Sequence, residues 1–291
     1  TNYLTGLGYP KKTDNYTKFW PASLHLIGKD IVRFHTIYWP AFLMSADLPL
    51  PKRVFGHGFL LARGGEKISK SVGNVIDPLN LAQAFGVDVL RYFLMREVAF
   101  GQDGSYSGEA IVTKTNAELA NSFGNLIQRT LSMISKNMGG RLEPFQPEKD
   151  DRSLLEKVRE ASATNLPKHF SNLAFSAGIE AWIKAVYACN QYIDEQAPWT
   201  LSKNDPKRMK VVLQTLFIAI HDLTIAIQPI IPEKAEAILD HIGVKKTERL
   251  YSHISNNSWF DELLDQGFLV DKPTPVFPRL DAELLGSEKQ C

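Results

Sequence analysis

The chain has 291 residues, of which 44% are hydrophobic and 22% charged. Those proportions suit an ordinary globular protein, leave room for two domains with a normal core, and remove any need for disulfide staples. The 33 basic and 32 acidic residues leave a net charge of +1, which neither predicts nor rules out nucleic-acid binding, because a sum does not show a local basic surface.

The first hundred residues mix short apolar runs with helical patterns, as α/β structure does. Leu24-His25-Leu26-Ile27 reads as a strand that opens into a loop at Gly28-Lys29-Asp30. Ile31 to Leu43 follows with helical spacing, and Pro40 is expected to kink or end it. Arg53 to Ala62 is strand-like, with Gly56 and Gly58 inside it, and Gly64-Gly65 is a turn signal. Asp77-Pro78 makes a good helix start, an N-cap followed by proline at the first helical position. A further helical signal runs from Asp88 through Leu94.

From about residue 108 strand signals nearly vanish. Asn116 to Met138 is a long helical pattern stopped by Gly139-Gly140. Ser153 to Leu166 is another, expected to end before Pro167. Leu173 to Tyr192 places Leu173, Ile179, Trp182, Ile183 and Val186 at helical spacing. Asp205-Pro206 opens a helix through Ile227, and Pro229 and Pro232 follow as stops. The apolar stretch from Leu213 to Ile231 is broken by Gln214, Thr215, His221, Asp222, Thr224 and Gln228, so it reads as a buried helix and not a membrane span. Pro232 to Ile242 is the last clear helix. Pro273, Pro275 and Pro278 make the tail extended. The expected organisation is therefore α/β over 1–107, a helical bundle over 108–270 and an extended tail over 271–291. Cys189 and Cys291 stand far apart, which gives no zinc-ligand pairing and reads as free thiols in a reducing compartment.

Two features carry chemistry. Lys67-Ile68-Ser69-Lys70-Ser71 lies between a glycine turn and a capped helix. Two ammonium groups three residues apart, with the hydroxyls of Ser69 and Ser71, suit a polyphosphate. A solvated basic loop is the alternative for those five residues alone. The flanks, Gly56-His57-Gly58 upstream and Gly73 to Pro78 downstream, make the whole stretch resemble the second signature of class I aminoacyl-tRNA synthetases, with isoleucine at Ile68 where methionine is usual. The second feature, Ile27-Gly28-Lys29-Asp30-Ile31-Val32-Arg33-Phe34-His35, closely resembles the methionyl members of that class.

The resemblance implies the second half of a Rossmann-type catalytic domain followed by an all-α anticodon-binding bundle. It also implies an ATP-dependent ligase that uses ATP and Mg²⁺ to join methionine to its tRNA. Lys67 and Lys70 would be catalytic, stabilising charge on the leaving pyrophosphate. Gly28 and Asp30 would meet the ribose of ATP, and Tyr3, Ile31 and His35 would line the methionine pocket. A satisfied histidine beside Phe34 and Tyr38 is the plainer reading of His35. Lys29 and Arg33 are expected in solvent or near tRNA, and Trp20 and Trp39 in the core or the pocket wall.

In the helical part, Asn121, Asn125 and Arg129 are spaced four and four, so they share one face of a helix. Such a stripe can read splayed bases, and Trp199, just after Pro198, can stack on one. A solvated face and a core tryptophan are the bland alternatives. By resemblance these four residues would read a CAU anticodon. Trp182 and Trp259 are expected in the core. The tail segment from Val276 to Leu280 resembles the family's C-terminal peptide, which folds back toward the catalytic domain.

The first ATP signature of the class, His-Ile-Gly-His or close to it, is absent from this sequence, and so is a zinc knuckle. The expectation is a fragment that needs an N-terminal half as partner, working in the cytoplasm (a bacterial cytosol or a mitochondrial matrix). The competing readings are a tRNA-binding module without catalysis of its own and another class I synthetase, such as the cysteine enzyme.

Overall fold

His25 to Ile27 alternates buried and exposed side chains and forms β1 (His25–Gly28), which pairs in parallel with β2 (Val54–His57). The computed structural model describes residues 2–61, 65, 68 and 77–281. A parallel pair needs a crossover, and a helical path over 29–45 supplies it. Pro40 does not end that path. The helix widens into a π-turn over Phe34–Tyr38, where the Trp39 N–H reaches back to the Phe34 carbonyl. A wide turn relieves the clash of the proline ring with the preceding carbonyls. The expected stop at Pro167 is corrected in the same way. A π-turn over Glu160–Asn165 precedes it, and helix continues through Leu166–Ser171.

The described residues fall into two compact units. The first comprises 2–61, 65, 68 and 99–106. Leu4, Trp20, Trp39 and Leu43 form its small core, so both tryptophans are core as expected. The strand-like stretch from Arg53 to Ala62 also supplies β3 (Leu60–Leu61), which pairs in parallel with β4 (Gly104–Ser105); β4 went unseen in the sequence because two residues carry no periodicity.

The second unit comprises 77–98 and 107–281, so a break falls near 107 as expected, while 77–98, expected in the first domain, groups with the helices. Helices Pro78–Phe85 and Val87–Glu97 belong to the helical unit. Tyr92 and Phe93 are fully buried there. The Tyr92 hydroxyl donates to Glu118 at 2.7 Å. Asp88 accepts the Lys234 N–H at 2.7 Å and so caps helix Pro232–His241 from outside. Arg91 donates to the Pro229 and Ile230 carbonyls at 2.8 and 3.0 Å. Polar contacts to residues more than a hundred positions away are what local periodicity cannot show.

Helix Pro206–Ile227 is long and apolar enough to cross a membrane, but it lies at the centre of the bundle, buried at every position from Met209 to Ile227 except Lys210 and Val211. It packs with Phe175–Gln196, 108–138 and 149–171. Trp182 and Trp259 are buried as expected. Cys189 is buried among apolar side chains, and desolvation pushes its thiol up to about 12, so it is inert. Gly139 and Gly140 end the 108–138 helix with φ of 60° and 76°.

The tail was expected to lie on the first domain. Over 271–281 it makes contacts within the helical unit, with the 108–138 helix and with helix Pro232–His241. Phe277 packs on Phe123 and Gly124. Asn116 grips the Leu280 main chain twice, donating to its carbonyl and accepting from its N–H, both at 2.9 Å.

Candidate functional site

In the first unit, β1 ends at Gly28 and the chain turns sharply into the crossover helix. A Cβ on Gly28 would stand 2.5 Å from Asp30 Oδ1. Glycine at 28 is thus what lets the Asp30 carboxylate fold back over the strand end. Asp30 is exposed, beyond the carboxyl end of a parallel strand, where ligands sit in such sheets. Gly56 and Gly58 are tight for other reasons. A Cβ on Gly56 would overlap the Val32 methyl, and one on Gly58 would overlap the Gln102 main chain.

Lys29 is not simply solvated. Its ammonium pairs with Asp103 at 2.6 Å and lies 4.9 Å from the Phe59 ring centroid. Asp103 also accepts the Phe59 N–H at 2.8 Å. It therefore ties the loop after β1 to the strand region before β3. Asp103 carries no motif of its own, and sequence reading missed it.

One helical turn further on, His35 is buried and Tyr3 half exposed. The Tyr3 hydroxyl and His35 Nε2 are 3.0 Å apart, and His35 Nδ1 is 3.0 Å from the Ile31 carbonyl. A carbonyl only accepts, so Nδ1 carries the proton, and in the neutral ring Nε2 accepts from Tyr3. The Tyr3 proton thus points at His35. Both side chains line a cavity of about 640 Å³ with Trp39, Phe34, Phe42 and Leu43. Ile31 contributes its carbonyl to this pair, but its side chain is exposed and does not line that cavity. His25 packs edge-on against Tyr3 at 4.6 Å. Burial, and then the neighbouring His35 ring, lowers the His25 pKa and keeps that ring neutral.

Lys67, Ser69, Lys70 and Ser71 lie outside the described residues. Ile68, between them, is half buried. Downstream, Asp77 caps helix Pro78–Phe85 by accepting the Leu79 N–H at 2.8 Å, as the Asp-Pro signal predicts.

In the second unit, Asn121 and Asn125 are exposed and Arg129 is half buried, while Phe123, Leu126 and Ile127 face the core. Trp199, at the start of helix Pro198–Asn204, is 45% exposed and therefore available to stack. The Arg129 guanidinium lies 5.2 Å from the Trp199 ring centroid and donates to Asp194 at 2.7 Å. Two segments seventy positions apart thus form one polar–aromatic face. Arg279 of the tail donates to Asn121 Oδ1 at 3.0 Å. Sequence reading missed Asp194 and Arg279. The charge opposite Arg129 was a visible signal for Asp194, but pairing it needed the helix contact.

Residues 1–131 match the family described as tRNA synthetases class I (M), and residues 145–287 match the anticodon binding domain of methionyl tRNA ligase. A methionine–tRNA ligase of Brucella suis is 50% identical over 280 residues, 96% of this chain and 53% of that protein. One from Mycobacterium leprae is 45% identical over 296 residues, covering 99% of this chain and 53% of the relative. Mycobacterium tuberculosis methionyl-tRNA synthetase bound by methionyl-adenylate superposes with a TM-score of 0.87 at 44% identity, over 95% of this chain and 54% of that one. The chain spans about half the length of the curated relatives it matches.

Proposed function

The chain belongs to the methionyl-tRNA synthetase family of class I, and on that premise we propose that it supplies the second half of the ATP site, the methionine pocket and the anticodon reader of a methionine–tRNA ligase. The observation that supports this reading is the exposed Trp199 ring 5.2 Å from the Arg129 guanidinium, on the helix that also carries the exposed Asn121 and Asn125. A stacking platform beside carboxamides and a guanidinium suits unpaired bases.

The reaction joins methionine to tRNA in two steps. A methionine carboxylate oxygen attacks the α-phosphorus of ATP in line, and the bond to the β-phosphate oxygen breaks, releasing pyrophosphate. The terminal adenosine hydroxyl of the tRNA then attacks the methionyl carbonyl, and AMP leaves. Lys67 and Lys70, with Ser69 and Ser71, meet the charge that builds on pyrophosphate. Gly28 and Asp30 take the ribose. The aromatic wall around His35 takes the thioether, and Tyr3 gives the sulfur a hydrogen bond only when its proton turns away from Nε2. The remaining half of such an enzyme supplies the other phosphate contacts. Magnesium accompanies ATP in this chemistry. No group of three or more His, Cys, Asp or Glu that could hold a metal ion is present among the described residues. The relatives are bacterial, which favours a cytosolic setting.

A tRNA-binding module without catalysis is the second reading, and the self-contained core of the helical unit favours it for the isolated chain. Amino-acid-dependent exchange of pyrophosphate into ATP separates the two. In the full-length protein we expect exchange with methionine and not with cysteine or leucine, reduced on the order of 10²–10³ in Lys70→Ala, the loss of one transition-state donor. Exchange indifferent to methionine, or unchanged in Lys70→Ala, contradicts the catalytic reading.

A further inference from the structure

The Trp199 helix is only seven residues long and has no side-chain cap at its start. Its entry residue, Ala197, sits in the left-handed region at φ 43°, a conformation that costs a non-glycine residue free energy unless its surroundings hold it. One residue reaches both ends of this element. The Arg208 backbone N–H donates to Asp205 Oδ1 at 3.0 Å, just past the helix end. Its guanidinium Nη2 donates to Gln196 Oε1 at 2.9 Å, just before the helix start.

The guanidinium is itself fixed. It makes a two-pronged pair with the fully buried Asp151, with Nη1 to Oδ2 at 2.6 Å and Nη2 to Oδ1 at 2.7 Å. Asp151 is held in turn by the Glu148 N–H at 2.7 Å and by the Tyr192 hydroxyl. A planar fork with both prongs committed to a buried carboxylate has little freedom to swing. Gln196 is thus tied to the 149–171 helix, and the corner that presents Trp199 inherits that fixed position. The alternative, a purely stabilising ion pair, explains Asp151 and Arg208 but leaves the Gln196 bond without a task.

We propose that Arg208 and Gln196 are positioning residues for anticodon selection. Arg208, anchored on Asp151, clamps the Gln196–Ala197 corner so that the Trp199 ring is preset for the base it stacks on. The inference rests on Trp199 being an anticodon contact. Presetting a side chain removes an ordering cost that binding would otherwise meet, and it favours the base whose geometry fits.

The test is tRNA binding by the full-length protein at one fixed salt concentration. Its readout is the ratio of Kd values for tRNAs with an altered and with a native CAU anticodon. A uniform loss of phosphate attraction cancels in that ratio. The variants are Trp199→Ala, Gln196→Ala and Gln196→Glu, with the thermal unfolding midpoint recorded for each. Gln196 is half buried at a helix end, so its variants fold. We expect Trp199→Ala to collapse the ratio. Gln196→Ala should lower it about tenfold, the scale of one charged hydrogen bond, with the unfolding midpoint little changed. Gln196→Glu, which can still accept from Arg208, should restore it. If Trp199→Ala collapses the ratio while Gln196→Ala leaves it intact, the clamp is overturned and the anticodon reading stands. A fall in Gln196→Ala that Gln196→Glu does not restore also overturns the clamp, since the acceptor then is not what matters. A ratio untouched by Trp199→Ala removes the reading and the clamp with it.

Discussion

Arg129 and Trp199 are seventy residues apart in sequence, yet the guanidinium of the first lies 5.2 Å from the ring centroid of the second. The same guanidinium donates to Asp194 at 2.7 Å. The cation–π contact at this half-exposed site is worth about 0.5–1 kcal/mol, enough to order the indole without burying it. The ring stays 45% exposed.

Trp199→Ala is expected to weaken binding of a CAU tRNA by about 1–3 kcal/mol, the usual value of base–aromatic stacking. Trp199→Phe should retain part of it. Titration of labelled tRNA against each variant checks this. Equal loss in both variants points to a steric and not a stacking role.

Tyr3→Phe removes the hydroxyl that faces His35 at 3.0 Å and keeps the ring that packs on His25 and Trp39. We expect the KM for methionine to rise by about fivefold, the worth of one ordinary hydrogen bond, with thermal stability nearly unchanged. Steady-state exchange kinetics measure it, and an unchanged KM removes Tyr3 from the methionine site.

Gly28→Ala puts a methyl 2.5 Å from Asp30 Oδ1. The obstacle is the end of a short side chain, so the strand survives and the carboxylate moves. The KM for ATP should rise while that for methionine holds. A parallel rise in both contradicts the assignment of Asp30 to the ribose. Gly58→Ala should behave differently, since the new methyl meets the Gln102 main chain, which cannot turn aside. Loss of folded protein is the expected result there.

Burial opposes the charge on Asp151, but the Arg208 pair, the Tyr192 hydroxyl and the Glu148 N–H outweigh it and hold the carboxyl below its ordinary value of 3.8. A carboxylate with a depressed folded pKa contributes stability that is present above the unfolded pKa and lost as pH falls through the folded one. Unfolding of the native protein should therefore become easier below about pH 4. Asp151→Asn should flatten that dependence and cost about 3–5 kcal/mol at neutral pH, because Arg208 stays buried without its partner. Denaturant midpoints taken between neutral and acid pH test both statements.

Much of this was readable from the residues. The strand into Gly28-Lys29-Asp30, the Asp77 cap and the helix ends at Gly139 and Ile227 follow from local rules, and the structure has them. The four-residue spacing of Asn121, Asn125 and Arg129 placed them on one face without tertiary information. What escaped was non-local. Pro40 and Pro167 looked like stops because a preceding π-turn leaves no sequence mark. Helix Val87–Glu97 looked like part of the first domain because the partners of Asp88 and Arg91 lie more than 130 residues away. The tail followed a family expectation, but Asn116 and Phe123 hold residues 277–280 on the helical unit. Asp103, Asp194 and Arg279 have roles only through the partners the fold brings to them.

The central claim is that this chain reads a CAU anticodon on behalf of a methionine ligase, and anticodon transplantation tests it most directly. The CAU triplet is placed in a tRNA of another specificity, and charging with methionine by the full-length protein is compared before and after. The account predicts a large gain on transplantation and loss of most of that gain in Trp199→Ala. Charging that follows the body of the tRNA, indifferent to the triplet, would contradict it.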